Sequence, residues 1–237
     1  MGEFALLPIA FLTSTLAGAI GTGGGILLIA LMPGLVPTAA IIPIHAVTQL
    51  ASNASRAAFT WREIDWTLLP AITIGCIAGA WFGAEIYSGL DLKWVPAMIG
   101  SIILLITWVK LPQPKGGGQF ALLLLGFYQT GLGMVAGATG PLGAAVLLRH
   151  KSERDWLVVN TAVYMGLNHG LRMLAFSMLG FAFMPWLPLI VAMAVAVTLG
   201  SWAGSKLRSA IPQKHFHRWF KVLVTLLALR MIVLSLI

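Results

Sequence analysis

The chain has 237 residues, of which 59% are hydrophobic and only 9% are charged. A soluble domain is about half apolar and about one quarter charged, so this composition excludes a water-soluble fold. With about 20 residues needed for each helical crossing of a bilayer, there is room for roughly six to eight crossings and almost no domain outside the membrane. The net charge of +8 does not indicate a nucleic-acid partner, because the Lys and Arg residues lie in short connections between apolar runs.

Apolar segments follow one another along the whole chain. They cover 4–36, 38–59, 66–87, 93–111, 119–148, 156–178, 183–205 and 216–237. None shows the period-2 alternation of barrel strands, so each is predicted to be helical. A stretch rich in proline and glycine at 113–118 predicts a linker. The sequence therefore predicts an all-α integral membrane protein in two units of four segments each, 1–112 and 119–237.

The two units carry the same residues in the same order. The matches at an offset of 116 positions are Gly21 with Gly137, Gly24 with Gly140, and Arg56 with Arg172. Later matches have slightly larger offsets, and the offset grows only in the loops. An ordered register of this kind predicts a duplicated unit, as in many transporters.

Equivalent loops of the two units have opposite charge bias, which indicates inverted and not parallel repeats. If the first segment of each unit is a re-entrant hairpin broken at its glycines, eleven Lys and Arg residues fall on one side of the membrane. These are Arg62, Lys110, Lys115, Arg149, Lys151, Arg154, Lys206, Arg208, Lys214, Arg218 and Lys221. Only Lys93 and Arg230 fall on the other side, whereas eight full crossings would divide the same charges nine to four. We predict inverted repeats with both termini outside the cytoplasm; because 119–137 is long enough to span, eight full crossings stay an alternative.

Glycine-rich runs interrupt the first segment of each unit, at 21–25 and at 137–141. A broken helix frees backbone N–H groups, and a half-helix that begins at the break directs its positive end toward the middle of the membrane. Such a break can also serve only close helix packing, but its presence in both units favours an anion site. The candidate binding residues at the breaks are Thr22, Gly23, Gly24, Thr139 and Gly140.

An arginine lies near the end of the second segment of each unit, at Arg56 and Arg172. Guanidinium groups bind oxyanions with two parallel hydrogen bonds. Polar residues share a helix face with these arginines or adjoin them. They are Gln49, Asn53, Asn168 and His169. Arg56 could instead extend to the lipid headgroups, whereas an anion-binding role is favoured for Arg172, which precedes an uncharged loop.

All seven acidic residues lie at segment ends or in loops, so no carboxylate within the membrane is available for cation coupling. His45 could carry protons or be an interfacial histidine, and the interfacial interpretation is favoured. The sequence contains no metalloprotease, serine hydrolase or Cys-x-x-Cys motif. No cofactor, metal site or enzymatic activity is therefore predicted.

These motifs resemble the sulfite exporter family TauE/SafE. The resemblance is carried by the stretch 21–28, the helix 46–56, and the second copy at 137–141 and 160–172, where Pro141 replaces a glycine. It covers essentially the whole chain. The resemblance implies a carrier in a bacterial inner membrane that exports or takes up sulfite, thiosulfate or sulfonates.

The sequence thus predicts a secondary transporter or facilitator for a small sulfur-containing anion. Export is favoured, because an anion that leaves a negative cytoplasm gains about 2.3 kcal/mol per charge for each 100 mV. The alternatives are an anion channel and an intramembrane enzyme that uses His45 and His169. The expected partners are the anion and the lipid bilayer, and the sequence is compatible with a homo-oligomer.

Overall fold

The computed structural model describes residues 2–21, 23–59, 61–109, 118–207 and 213–236. Within these ranges it contains helices and no β-strand, which confirms the all-helical prediction. The helices are α1 (Leu6–Ile20), α2 (Gly24–Leu31), α3 (Thr38–Phe59), α4 (Leu69–Ser88), α5 (Val95–Trp108), α6 (Gln119–Ala136), α7 (Gly140–Leu147), α8 (Arg154–Met178), α9 (Leu187–Leu207) and α10 (Gln213–Leu236).

Five of the described helical segments are long and apolar enough to cross a membrane. They are Gly2–Ile20, Trp66–Ser88, Gln119–Ala136, Met184–Leu207 and Trp219–Leu236. Their outward faces are apolar, as lipid contact requires; the Trp81 side chain, for example, is 71% exposed. The helices α3 and α8 carry most of the buried polar residues, including Gln49 and Asn168. The protein is therefore a multi-pass membrane protein whose polar residues are turned inward.

Both predicted glycine breaks are present. The first separates α1 from α2, and Gly21 and Gly23 there have a φ of +96°. The second follows α6, where Gly137 has a φ of +71°. Glycine tolerates this left-handed backbone at little cost and ends a helix with it. The helices α1 and α6 are thus each followed, after a sharp turn, by a half-helix of eight residues, α2 and α7.

The helices α3 and α8 cross each other in opposite directions at the centre of the bundle. Leu50 packs against Gly170, whereas the amide of Asn160 donates to the Glu63 carbonyl just beyond the end of α3 (2.9 Å). Residue numbers therefore fall along α8 as they rise along α3. The helices α5 and α10 are also antiparallel.

The helices α1 and α9 run in the same direction and touch along their backbones. A Cβ atom added at Gly200 would clash with the Phe11 carbonyl, and one added at Gly204 would clash with the Thr15 carbonyl. We call this contact the first glycine seam. Small residues at such positions allow the backbones of membrane helices to approach closely.

The helices α4 and α6 form a second glycine seam of the same construction. A Cβ atom at Gly79 would clash with the Phe127 carbonyl, and one at Gly83 would lie 2.8 Å from the Gly131 carbonyl. These helices are also parallel. Each seam therefore joins a helix of unit 1–112 to a helix of unit 119–237.

The helix α3 runs parallel to α9 and hence to α1. The Ser14 hydroxyl lies 2.8 Å from the hydroxyls of Ser52 and Ser201, and Thr48 lies one turn earlier against Met193 (3.8 Å). The chain therefore enters α1 and α3 from the same end of the bundle. The chain leaves that end along α1, turns at the first break, and returns to the same end through α2 and the loop that follows it.

The helices α6 and α8 are related in the same way as α1 and α3. Asn168 donates to the Thr130 hydroxyl (2.9 Å), and Arg172, one turn later, donates to the Gly137 carbonyl (2.8 Å). The helices α6 and α8 are therefore parallel to each other. The chain again leaves and returns to one end of the bundle before α8 begins.

Candidate anion-binding site

A cavity lies where the two glycine breaks meet the middle of α3 and α8. Its lining combines backbone from the breaks with polar side chains from the two central helices. The residues are Ala17, Gly21, Gly23, Gly24, Gly25, Ile26, Ala138 and Gly140 around the breaks, His45, Gln49, Asn53 and Arg56 on α3, and Thr161, Met165 and His169 on α8. The cavity volume is about 40 Å³, a few times the roughly 10–15 Å³ that one water requires.

Both half-helices begin at this cavity. Gly24 is the first residue of α2, Gly140 is the first residue of α7, and both line the cavity. The first N–H groups of a helix have no partner within the helix, and the helix dipole makes that end positive. A Cβ atom at Gly25 would lie 3.2 Å from the Gln49 amide oxygen, so backbone and side chains converge closely. The arrangement is electrically suited to an anion.

The arginine of α3 faces the same cavity. Arg56 is buried, and its Nη2 donates to the side-chain oxygen of Asn53. The Asn53 amide in turn donates to the Gln49 carbonyl (2.7 Å). Burial and this hydrogen bond contradict the interpretation in which Arg56 extends to the lipid headgroups. The polar face predicted for α3 therefore lines the cavity.

The arginine of α8 lies behind the cavity wall. Arg172 is completely buried, and its Nη1 donates to the Gly137 carbonyl (2.8 Å) and to Nδ1 of His169 (3.2 Å). His169 lines the cavity, whereas Arg172 does not. The Nε and Nη2 atoms of Arg172 have no hydrogen-bond partner. Arg172 thus supports the second break and holds a cavity-lining imidazole in place.

Two more of the predicted residues stand outside the cavity lining. The Thr139 hydroxyl donates to the Gln129 carbonyl (3.2 Å), and the Gln129 amide donates back to the Thr139 carbonyl (2.8 Å). Asn168 is bound to Thr130 of α6. Both residues fix the second break to its neighbours. Thr22 lies outside the described residues.

His45 was not among the binding residues predicted from the sequence, which favoured an interfacial histidine. The structure contradicts that interpretation. His45 lies within α3 with no exposed surface, and its Nε2 is 2.9 Å from the Gly25 carbonyl oxygen. Its ring centroid lies 5.7 Å from that of His169, edge to face. The internal repeat is a signal that could have identified His45 as a cavity residue. At an offset of 116, His45 matches Thr161 and Asn53 matches His169, and all four residues line the cavity. Among the described residues, no group of His, Cys, Asp or Glu is arranged to hold a metal.

The family model for the sulfite exporter TauE/SafE matches residues 6–231. The chain belongs to this family. TauE/SafE proteins are membrane transporters for sulfite and related anions, so the resemblance drawn from the glycine runs and the helix 46–56 is confirmed. Comparisons with curated proteins and with solved structures gave no match. For a TauE/SafE protein, the cavity at the two breaks is the natural candidate for the substrate site.

Proposed function

We propose that this TauE/SafE protein is a secondary carrier that moves a small sulfur oxyanion across a bacterial inner membrane, with export as the favoured direction. One observation carries the proposal: two half-helices begin at the cavity into which the buried Arg56 also faces. No Asp or Glu among the described residues is buried. The site therefore offers positive charge and hydrogen-bond donors with no carboxylate to repel an anion.

The size of the cavity favours the smaller substrates. A cavity of about 40 Å³ suits a small anion, since the space needed for a single water is already roughly 10–15 Å³. Sulfite has one sulfur and three oxygens, and thiosulfate has one further sulfur. An organosulfonate with a longer carbon chain requires a wider cavity. We therefore propose sulfite or thiosulfate as the substrate in preference to a sulfonate.

We also propose that the two units are inverted repeats. The observations that support this are the antiparallel crossing of α3 with α8 and the two seams at matching positions. Phe11 packs on Gly200 in the first seam, and Phe127, 116 positions after Phe11, packs on Gly79 in the second. Helices with equivalent sequence that run in opposite directions indicate a two-fold axis in the membrane plane.

The described charges support an orientation with both termini outside the cytoplasm. Positive side chains gather at the end of the bundle where α3 ends. They are Arg62, Arg149, Lys151, Lys206 and Lys221, whereas Lys93 and Arg230 lie at the other end. Lys221 reaches this end over the ring of Trp108 (5.4 Å). By the positive-inside rule, the end of the bundle where α3 ends is the cytoplasmic one. Arg56 lies in the half of α3 nearer to this end.

Close packing at both breaks favours a carrier over a channel. A Cβ atom at Gly137 would clash with Cδ1 of Ile29, and one at Gly23 would lie 2.7 Å from the ring of Phe220. An open pore would need a water-filled path past both breaks, whereas a carrier that works by alternating access needs no continuous path.

Flux into proteoliposomes tests the proposal directly. Labelled sulfite and thiosulfate are supplied with and without an imposed membrane potential, and counterflow is measured by preloading unlabelled anion. We expect saturable, potential-sensitive flux with counterflow. Flux that rises linearly with concentration and shows no counterflow would indicate a channel. Chemical conversion of the anion in detergent would indicate an enzyme.

A further inference from the structure

Two imidazoles from different units meet at the candidate site. His45 of α3 and His169 of α8 both line the cavity and are almost completely buried. Their rings are in edge-to-face contact. The proposed function uses the positive groups around them and leaves the pair itself without a role.

The hydrogen bonds fix the protonation state of His169. Its Nδ1 lies 3.2 Å from Nη1 of Arg172. A guanidinium can only donate hydrogen bonds, so this Nδ1 must be an acceptor and carries no proton. The ring is therefore neutral, with its proton on Nε2.

The hydrogen bonds also fix His45, and they leave one of its atoms unused. Its Nε2 lies 2.9 Å from the Gly25 carbonyl, and a carbonyl can only accept, so Nε2 carries a proton. The other ring nitrogen, Nδ1, is buried and has no hydrogen-bond partner. A buried acceptor without a partner is costly. Nδ1 is thus a vacant site for a proton beside the cavity.

The charges around His45 decide when that proton can bind. The charged groups that face the two imidazoles are Arg172 on α8 and Arg56 on α3. The phenol of Tyr164 on α8 donates to the Gly140 carbonyl (3.4 Å), and Asp155 in the first turn of α8 is exposed. Among the described parts of the other elements packed on α3, α2 has no titratable group, and α6 has only Tyr128. The remaining charged groups there, Lys206 of α9 and Asp91 and Lys93 before α5, lie exposed at element ends.

A proton on His45 would therefore add a third positive charge beside two arginines, with no carboxylate to compensate it. A bound anion removes this cost. Binding of the anion and binding of the proton must then favour each other by the same factor, because linkage is reciprocal.

We infer that Nδ1 of His45 takes up a proton as the anion binds, so that the carrier moves a proton and an anion together. The inference rests on the proposed function of the same site. The proton comes from water on the loading side and returns to water on the other side, so no further reactant is needed. With a divalent anion, one net negative charge still moves, and the membrane potential still favours export.

Proton movement can be measured beside anion movement in the same vesicles. We suggest thiosulfate as the probe, because its dianion does not take up protons near neutral pH. Vesicles contain a pH-sensitive dye, and an outward gradient of labelled thiosulfate is imposed with the potential clamped. We expect the wild type to move about one proton with each anion, in the same direction, and a pH gradient alone to drive anion accumulation.

The variant His45→Gln isolates the proposed proton site. We expect the number of protons moved per anion to fall at least fivefold, whatever rate of anion flux remains. His150, exposed beyond the end of α7, provides the matched control, and His150→Gln should leave the ratio unchanged. If His45→Gln does not fold, calorimetry of thiosulfate binding to the wild type in two buffers of different ionisation heat reports proton uptake without a variant.

The outcomes separate the two proposals. Thiosulfate flux in the wild type without proton movement, or an unchanged ratio in His45→Gln, overturns this inference and leaves the carrier intact. Calorimetric binding heats that are independent of the buffer overturn it as well. An absence of any labelled anion flux in the wild type overturns the proposed function, and this inference with it.

Discussion

The two glycine breaks have similar sequences and different surroundings. At the first break, the ring of Phe220 from the second unit lies against Gly23, and at the second break Ile29 of the first unit lies against Gly137. The arginines differ in their relation to the cavity. Arg56 lines it, whereas Arg172 lies behind its wall, bound to the backbone of its own break and to an imidazole. One pattern therefore supports two arrangements, in which one arginine faces the cavity and the other does not.

We propose that this difference serves transport. If the two units exchange arrangements, Arg172 comes to face the cavity as Arg56 withdraws from it, and the cavity changes the side from which it is accessible. Variants that disturb one break and spare the other test whether both arrangements are needed.

The largest expected effect comes from removing Arg172 at the second break. Arg172→Gln loses the hydrogen bonds that hold the Gly137 carbonyl and the His169 ring in place, so we expect anion flux to fall about 100-fold or more. Expression and size-exclusion behaviour in detergent should stay close to wild type. Arg62→Gln is the matched control, because Arg62 is exposed and lies outside the site. Saturable flux at the wild-type rate in Arg172→Gln would refute the role given to this residue.

The next effect comes from disturbing the first break. A Cβ atom at Gly24 would clash with the Thr13 carbonyl and lie 2.8 Å from the Cβ of Ala17. We expect Gly24→Ala to push α2 away from α1 and to lower the free energy of unfolding by about 1–3 kcal/mol, which thermal denaturation in detergent measures. Gly118→Ala is the control, because nothing lies within 4 Å of an added Cβ there. Equal stability of the two variants would show that the close approach at Gly24 is not needed.

The smallest expected effect comes from making the second unit resemble the first. Asn53 and His169 are equivalent by the offset of 116, and each is bound to the arginine of its helix. In His169→Asn, the asparagine oxygen can accept from Arg172 as Asn53 does from Arg56. We therefore expect flux to fall by only about three- to tenfold, with His150→Asn unchanged. A loss as large as that of Arg172→Gln would show that the imidazole has a role beyond accepting this hydrogen bond.

Much of this architecture could be predicted from the sequence. The apolar segments, both glycine breaks and the polar face from Gln49 to Arg56 follow from composition and helical periodicity alone. Of the predicted binding residues, the structure brings Gly23, Gly24, Gln49, Asn53, Arg56, Gly140 and His169 to one cavity. Their role in binding stays a prediction, as do the domain boundaries, whose linker falls mostly outside the described residues.

The remaining features depend on contacts between distant parts of the chain. Arg172, Asn168 and Thr139 stand behind the wall, where each donates a hydrogen bond to a partner on α6 or at the second break. His45 is interior because α2 folds back and covers it, a contact with Gly25 that no local pattern indicates. The oligomeric state also stays a prediction.

The two glycine seams also bear on how such a protein could have arisen. Each seam joins one helix from each unit, so a single unit would leave two glycine-lined faces without the helix that fits them. On the proposed inverted-repeat architecture, a single unit could cover both faces only by pairing with a second copy that has the opposite orientation in the same membrane. On that architecture, the fold corresponds to a dual-topology homodimer whose two subunits are joined in one chain.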